Sequence, residues 1–312
     1  MKAILFGNLT IDKNTIGNKT YTSPGGSVYF VAKTFENLNL NTTVISPYGD
    51  DFPKKSMPFA DFIPIKPSFR ETLRFRNIYR NGKREQKVEN YKEYLKYSVP
   101  MSSREVPTQS GRRGDLSNIL EIASFPTRND EIIMIAPVIN NINYENIIQM
   151  KKSFPQSFFC LLPQGFFRKI DNKGRVVSST NEFPDEILRL FNFICLSELD
   201  TKEADTKANK WSILGPLVAV TRAQKGASLY KKGIRIDSPA FQINKLNDPT
   251  GAGDIFAAGF SYYFHKNQDL YQVLEFAHAA AAFTLRYRSF ELQYTYQDIL
   301  KFAKSHKRGV NL

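Results

Sequence analysis

Short runs of apolar and β-branched residues recur at Lys2 to Phe6, Thr42 to Ser46, Ile132 to Ala136, Phe158 to Leu162, Phe193 to Leu196 and Leu217 to Thr221. Runs this short, bounded by polar or turn residues, predict strands buried on both faces. Between most of them apolar residues return every three or four positions. That period predicts helices at about Ser27 to Asn39, Tyr144 to Ser153, Phe183 to Leu190 and Thr201 to Asn209, then Asp254 to His265, Leu270 to Leu285 and Thr295 to Ser305. The alternation predicts an α/β fold: a doubly wound, mostly parallel sheet with helices on both faces.

Two regions break the rhythm. Ser68 to Val88 reads as two β-runs, Thr72 to Tyr79 and Arg84 to Val88, on either side of Asn81-Gly82, a dipeptide suited to a tight hairpin turn. A hairpin inserted in an α/β domain predicts a small β-lid, drawn from about residues 12–24 and 66–90 of a single domain over 1–312. Ser98 to Asp115 holds Pro100, Pro107, Gly111, Arg112, Arg113 and Gly114 with no periodicity, and reads as a mobile loop.

Composition narrows the class. The chain has 312 residues, 42% hydrophobic and 13% aromatic, enough to bury a large core, and its apolar runs fall short of the roughly 20 residues that span a bilayer. Met1 to Phe6 is too short for a signal-peptide core, so the expectation is a cytoplasmic protein with no membrane partner. Cys160 and Cys195 each lie inside an apolar run, as reduced core thiols do, and three scattered histidines argue against zinc. The net charge is +13, and residues 66–113 hold 13 Lys or Arg against five Asp or Glu, a local excess of +8. Such a stretch draws nucleic acid, draws nucleotide phosphates, or is a solvated face.

The chemistry concentrates in Asn247-Asp248-Pro249-Thr250-Gly251-Ala252-Gly253-Asp254, followed at once by the apolar run from Ile255. Gly251 and Gly253 let the backbone turn with no side chain in the way, so N–H groups at a helix start can converge on an anion. Asp254 then falls in the first helical turn. A plain reading makes it a carboxylate favoured by the helix dipole. Beside an anion hole it is also what phosphoryl transfer requires, one group taking the acceptor's proton while fixed N–H dipoles hold the phosphate.

Asp248 to Asp254 resembles the C-terminal signature of the PfkB, or ribokinase-like, carbohydrate and nucleoside kinases. The resemblance extends to Gly7-Asn8-Leu9-Thr10-Ile11-Asp12 after the first strand and to Gly25-Gly26 before the first long helix. It implies an ATP- and Mg²⁺-dependent kinase acting on an alcohol group of a small polyol, sugar or nucleoside. It further implies Asp254 as general base, Thr250, Gly251, Ala252 and Gly253 as the anion hole, and Asn8, Asp12, Gly25 and Gly26 as substrate contacts under the lid. Asp200-Thr201-Lys202-Glu203 resembles the family's Asn-x-x-Glu element, with Asp where Asn is usual, which implies Asp200 and Glu203 near Mg²⁺ through water; an exposed charged helix turn is the plainer alternative. Thr221 to Ala227 resembles the loop against the nucleotide and implies Thr221 and Gly226 in that role. Pro163-Gln164-Gly165-Phe166-Phe167-Arg168 is similar to an element of an inositol-kinase-like subgroup, which adds Gln164 and Arg168 to the substrate contacts and favours an inositol-like polyol; a loop Arg making backbone contacts is the plainer alternative for Arg168. Family lids often pair across a dimer, so a homodimer through the lid is a further expectation.

Two departures bear on the substrate. Phe30 stands where the family commonly has Asn, and Arg286 to Phe290 lacks the usual glycine. The basic stretch and the substitutions at Phe30 and Asp200 leave an alternative, a catalytically decayed PfkB-like scaffold or nucleic-acid-binding protein. The intact Gly251, Gly253 and Asp254 weigh against it, as does the absence of a P-loop or Gly-x-Gly-x-x-Gly motif against an unrelated nucleotide-binding fold.

Overall fold

A computed structural model describes residues 1–64, 70–80, 83–95, 131–244, 246–289, 291–306 and 308. The Asn81-Gly82 turn and the Ser98 to Asp115 loop lie outside the described residues.

In chain order the strands are β1 (Lys2–Gly7), β2 (Thr10–Ile16), β3 (Lys19–Gly25), β4 (Asn41–Ser46), β5 (Ala60–Pro64), β6 (Leu73–Arg80), β7 (Lys83–Val88), β8 (Glu131–Ala136), β9 (Phe158–Leu161), β10 (Arg168–Ile170), β11 (Val176–Ser178), β12 (Phe193–Ser197), β13 (Leu217–Thr221), β14 (Ala227–Lys231) and β15 (Ile234–Ser238). The helices are α1 (Ser27–Asn37), α2 (Tyr91–Leu95), α3 (Tyr144–Ser153), α4 (Asp185–Leu188), α5 (Ala204–Ile213), α6 (Ala252–Lys266), α7 (Leu270–Thr284) and α8 (Tyr296–Ser305).

Nine strands form one sheet in the order β15-β14-β13-β12-β9-β8-β1-β4-β5. Its seven strands from β13 to β5 are parallel, and only β14 and β15 run antiparallel at one edge. Alternate residues of each central strand face opposite layers. One side packs on α1, α6, α7 and α8 through Leu5, Phe193, Phe256 and Phe260; the other packs on α3, α4 and α5 through Phe6, Ile133, Ile194 and Trp211. Burial on both faces explains why the central strands are uninterrupted apolar runs.

The β14–β15 hairpin is absent from the sequence expectations. Its turn, Lys232-Gly233, takes positive φ of 51° and 79° at both central residues, the twist that closes a two-residue hairpin. Only glycine occupies that region freely, so a Lys-Gly pair is a fainter signal than Asn-Gly.

A second sheet of four strands, in the order β3-β2-β6-β7, comes from the two segments expected to form the lid. One of its edges is not bare: Val88 N–H donates to Gly174 O at 2.8 Å, and Lys87 bridges Arg175, so the β10–β11 hairpin lies against β7.

The main sheet reverses its order of addition at β1, with β4 on one side and β8 on the other. Ligands of doubly wound sheets bind at such a switch point, beyond the carboxyl ends of the strands. Asn8 follows β1, Val138 follows β8, Gln164 follows β9, Asp200 follows β12 and Thr221 ends β13, so the expected site residues gather along that edge. No helix among the described residues is long and apolar enough to cross a membrane.

Candidate active site

The loop before α6 is held by one buried carboxylate. Asp248 Oδ1 accepts from Thr250 N–H at 2.9 Å, while Oδ2 accepts from Ser289 N–H at 3.0 Å and from the Tyr21 hydroxyl. Gly251 then takes a left-handed conformation, φ 79° and ψ 0°, and α6 starts two residues earlier than its apolar period predicts, with no side chain capping it. The first-turn N–H groups of an uncapped helix need partners from outside it. A Cβ on Gly253 would meet only Thr221 Oγ1, 3.9 Å away, so the space above that turn is open. The helix is anchored by Phe260, whose ring stacks on Phe193 of β12 with centroids 4.1 Å apart.

Asp254 stands at the mouth of this loop. Burial raises its carboxyl from the ordinary 3.8 to about 6, against the lowering pull of a hydrogen bond from Ser27 and of the Arg168 and Arg84 guanidinium groups, while Asp200 pushes it further up. A carboxylate with that affinity for protons accepts one more readily than a solvated aspartate does.

Opposite lies Asp12, 6% exposed. Thr10 Oγ1 donates to its Oδ1 at 2.5 Å and Asn77 Nδ2 to its Oδ2 at 3.4 Å. Burial also lifts this carboxyl to about 6, opposed by Thr10, Arg84, Asn77 and Arg168. A Cβ on Gly25 would stand 2.4 Å from Asp12 Oδ2, and one on Gly26 2.3 Å from Asn8 O. The glycine pair therefore makes room for Asp12 and for the Asn8 backbone. Asn8 is fully buried; its Oδ1 accepts from Val138 N–H at 3.1 Å, and its Nδ2 has no partner among the described residues.

Arg168 enters from the start of β10, donating Nη1–H to Val138 O at 3.1 Å. Burial and then the like charge of Arg84 lower its pKa to about 10, against the raising effect of Asp200, Asp254 and Asp12. Gln164 Nε2 donates to Asp200 Oδ1 at 3.4 Å, and Asp200 Oδ2 accepts from Ser197 N–H at 2.8 Å. Glu203 is largely exposed and lies 3.6 Å from Lys207, away from this cluster. Among the described residues no group of three or more His, Cys, Asp or Glu side chains is gathered for a metal. Gly226, at φ 99°, closes the turn after β13, where a Cβ would strike Ser238 O.

Several site residues escape the motifs. Ser27 acts on Asp254, Asn77 bonds Asp12, Tyr79 lies 2.9 Å from Thr250 Oγ1, and Arg84 acts on both carboxylates. Three of these four lie on β6 and β7, whose sequence signals a hairpin and nothing about chemistry. Phe30 is 2% exposed, packed against Gly251.

Residues 189–292, which contain the Asp200 turn, the Thr221 loop, the anion loop and Asp254, match the profile of the pfkB family carbohydrate kinases. The chain carries a PfkB-family domain. A nucleoside kinase of Methanocaldococcus jannaschii is 26% identical over 127 residues, covering 39% of this chain and 42% of that relative. A cytidine kinase of Thermococcus kodakarensis is 22% identical over 278 residues, covering 86% of this chain and 90% of the relative. Among solved structures, a sulfate complex of a pyrophosphate-dependent kinase in the ribokinase family superposes with a TM-score of 0.72 at 18% identity, covering 96% of this chain and 99% of the other. Another pyrophosphate-dependent kinase structure of that family, with a pyrophosphate analog and myo-inositol, gives 0.69 at 18%, covering 96% and 99%. The solved structures thus give a ribokinase-like fold that covers 96% of the chain.

Proposed function

We propose that this protein is a phosphotransferase that moves a phosphoryl group onto an alcohol of a small polyol, sugar or nucleoside, an inositol-like polyol first. The observation that carries the reading is the pairing of an uncapped helix start, open above Gly253, with a carboxylate of pKa about 6 in the same turn. Gly251, Ala252 and Gly253 present backbone N–H groups to the phosphate, Thr250, whose own N–H is held by Asp248, shapes the turn ahead of them, and Asp254 takes the acceptor's proton as its oxygen attacks. Asp12, Asn8, Gln164 and Arg168 orient the acceptor, the unpartnered Asn8 Nδ2 offering a donor to one of its oxygens. The second sheet, from β2, β3, β6 and β7, serves as the lid.

The donor is ATP, with Thr221 and Gly226 beside the nucleotide, or pyrophosphate, as in the two solved kinases compared above. When bound, the donor supplies the phosphoryl group and Mg²⁺ neutralises its charge. The donor set near Asp200 suits a hydrated Mg²⁺ held mainly through water.

The test is donor consumption with ATP or pyrophosphate and Mg²⁺ against a panel of polyols, sugars and nucleosides, with Asp254→Asn alongside. Turnover on one panel member, lost in the variant, is expected. An Asp254→Asn protein as active as the parent would falsify the mechanism.

A further inference from the structure

The second sheet touches the anion loop through two tyrosines. Tyr21 of β3 donates its hydroxyl to Asp248, and Tyr79 of β6 meets Thr250 Oγ1 at 2.9 Å. Asp248 and Thr250 are the residues that shape the loop just before Gly251, so this sheet is seated on the phosphate-binding turn itself.

Directly across the β6–β7 ladder from Tyr79 is Arg84. Residues opposite one another in a sheet project to the same face, so Arg84 is on the side that meets the loop. Its charge acts on Tyr79, Asp12, Asp254 and Arg168. Of the other arginines of this sheet, Arg74 pairs with Asp51 at 2.5 Å and Arg76 with Glu89 at 2.8 Å, while Arg80, at the exposed end of β6, forms no ion pair among the described residues. Neither Arg84 nor Arg168 forms an ion pair within 4.0 Å among the described residues, although each repels the other. Two like charges held beside an anion loop are accommodated when an anion lies between them.

We propose that Arg84 is a catalytic residue that reaches the transferred phosphoryl group from the second sheet. The inference rests on the phosphoryl-transfer reading above. In the step itself the acceptor's O–H proton passes to the Asp254 carboxylate as the acceptor oxygen bonds phosphorus. The bond from phosphorus to the donor's bridging oxygen breaks, and that oxygen leaves on ADP or on phosphate. Arg84 stays protonated throughout and donates N–H bonds to the non-bridging oxygens, whose charge is spread most widely at the transition state. A cation supplied by the sheet that closes over the site makes the seated sheet a condition of transfer.

Steady-state kinetics of the full chain with Arg84→Gln and Arg84→Lys test this. With the best acceptor and donor found for the parent protein, Arg84→Gln is expected to lose about 10²–10³-fold in kcat while both KM values change less than about threefold. Arg84→Lys retains charge without the planar fork and falls between. Free guanidinium ion added to an Arg84→Ala protein should restore part of kcat and leave the parent unaffected. Melting curves check folding, and since Arg84 is exposed the variants should melt with the parent. Unchanged kcat in Arg84→Gln, or a rise confined to the acceptor's KM, overturns the proposal while leaving the kinase reading intact. A parent protein without turnover on any donor and acceptor would remove that reading and this one together.

Discussion

The ring of Phe30 lies where a Cβ on Gly251 would stand, with its Cγ and Cδ1 2.3 Å from that point. The turn proposed to hold phosphate is thus floored by an aromatic side chain from α1, and Gly251 meets two demands at once, left-handed backbone and no side chain. Gly251→Ala should be destabilised by more than the roughly 1–2 kcal/mol of a left-handed alanine, because the Phe30 ring must also move. Thermal melts of Gly251→Ala and of Gly251→Ala with Phe30→Leu check this, the double variant recovering part of the loss. Additive effects would show that the contact is not shared.

Asp254→Asn should lose about 10²–10⁴-fold in kcat, the range of general-base catalysis, with donor binding retained. Because the variant is nearly isosteric and removes a buried charge, it should melt no lower than the parent at pH 8. A variant that is inactive but also fails to bind donor would point to a collapsed loop rather than a missing base.

Activity and stability should move oppositely with pH. Burial raises the Asp12 and Asp254 carboxyls from 3.8 to about 6, so each folded carboxyl holds its proton more tightly than the unfolded chain does. The stability each contributes is complete below pH 4 and is lost as pH rises through 6, on the order of 2–3 kcal/mol per group at most. Activity needs Asp254 ionised and should rise over the same interval. Melting and kcat/KM profiles between pH 4.5 and 8 check both limbs. Asp12→Asn should remove part of the stability slope and keep the limb in activity.

How far the sequence carried this picture differs from element to element. The central strands were readable because burial on both faces demands uninterrupted apolar residues, and the turn into α6 because Thr250-Gly251 stands just ahead of a run with helical period. α5 runs from Ala204 to Ile213 rather than from Thr201 to Asn209, its buried face continuing past Asn209 to Trp211 and Ser212. The contribution of β6 and β7 to the site was not readable. Asn77, Tyr79 and Arg84 owe their roles to a register and a docking angle set by tertiary contacts, and in the sequence they are ordinary polar residues of a hairpin. Phe30 was readable only as a missing polar contact; its packing under Gly251 depends on how α1 crosses α6.

Asp200 and Glu203 should separate under metal titration. Asp200 lies close enough to Asp254 and Arg168 to act on both, and it is steadied by Ser197 and Gln164. Glu203 is exposed and turned toward Lys207. Asp200→Asn should therefore raise the Mg²⁺ concentration needed for half-maximal activity by about tenfold, in keeping with the loss of one carboxylate from a water-mediated site. Glu203→Gln should shift it by less than about threefold, because a solvent-exposed carboxylate is already screened. The paired substitutions distinguish a single-carboxylate site from a two-carboxylate one: equal shifts would mean that Glu203 swings away from Lys207 when the metal and donor are bound.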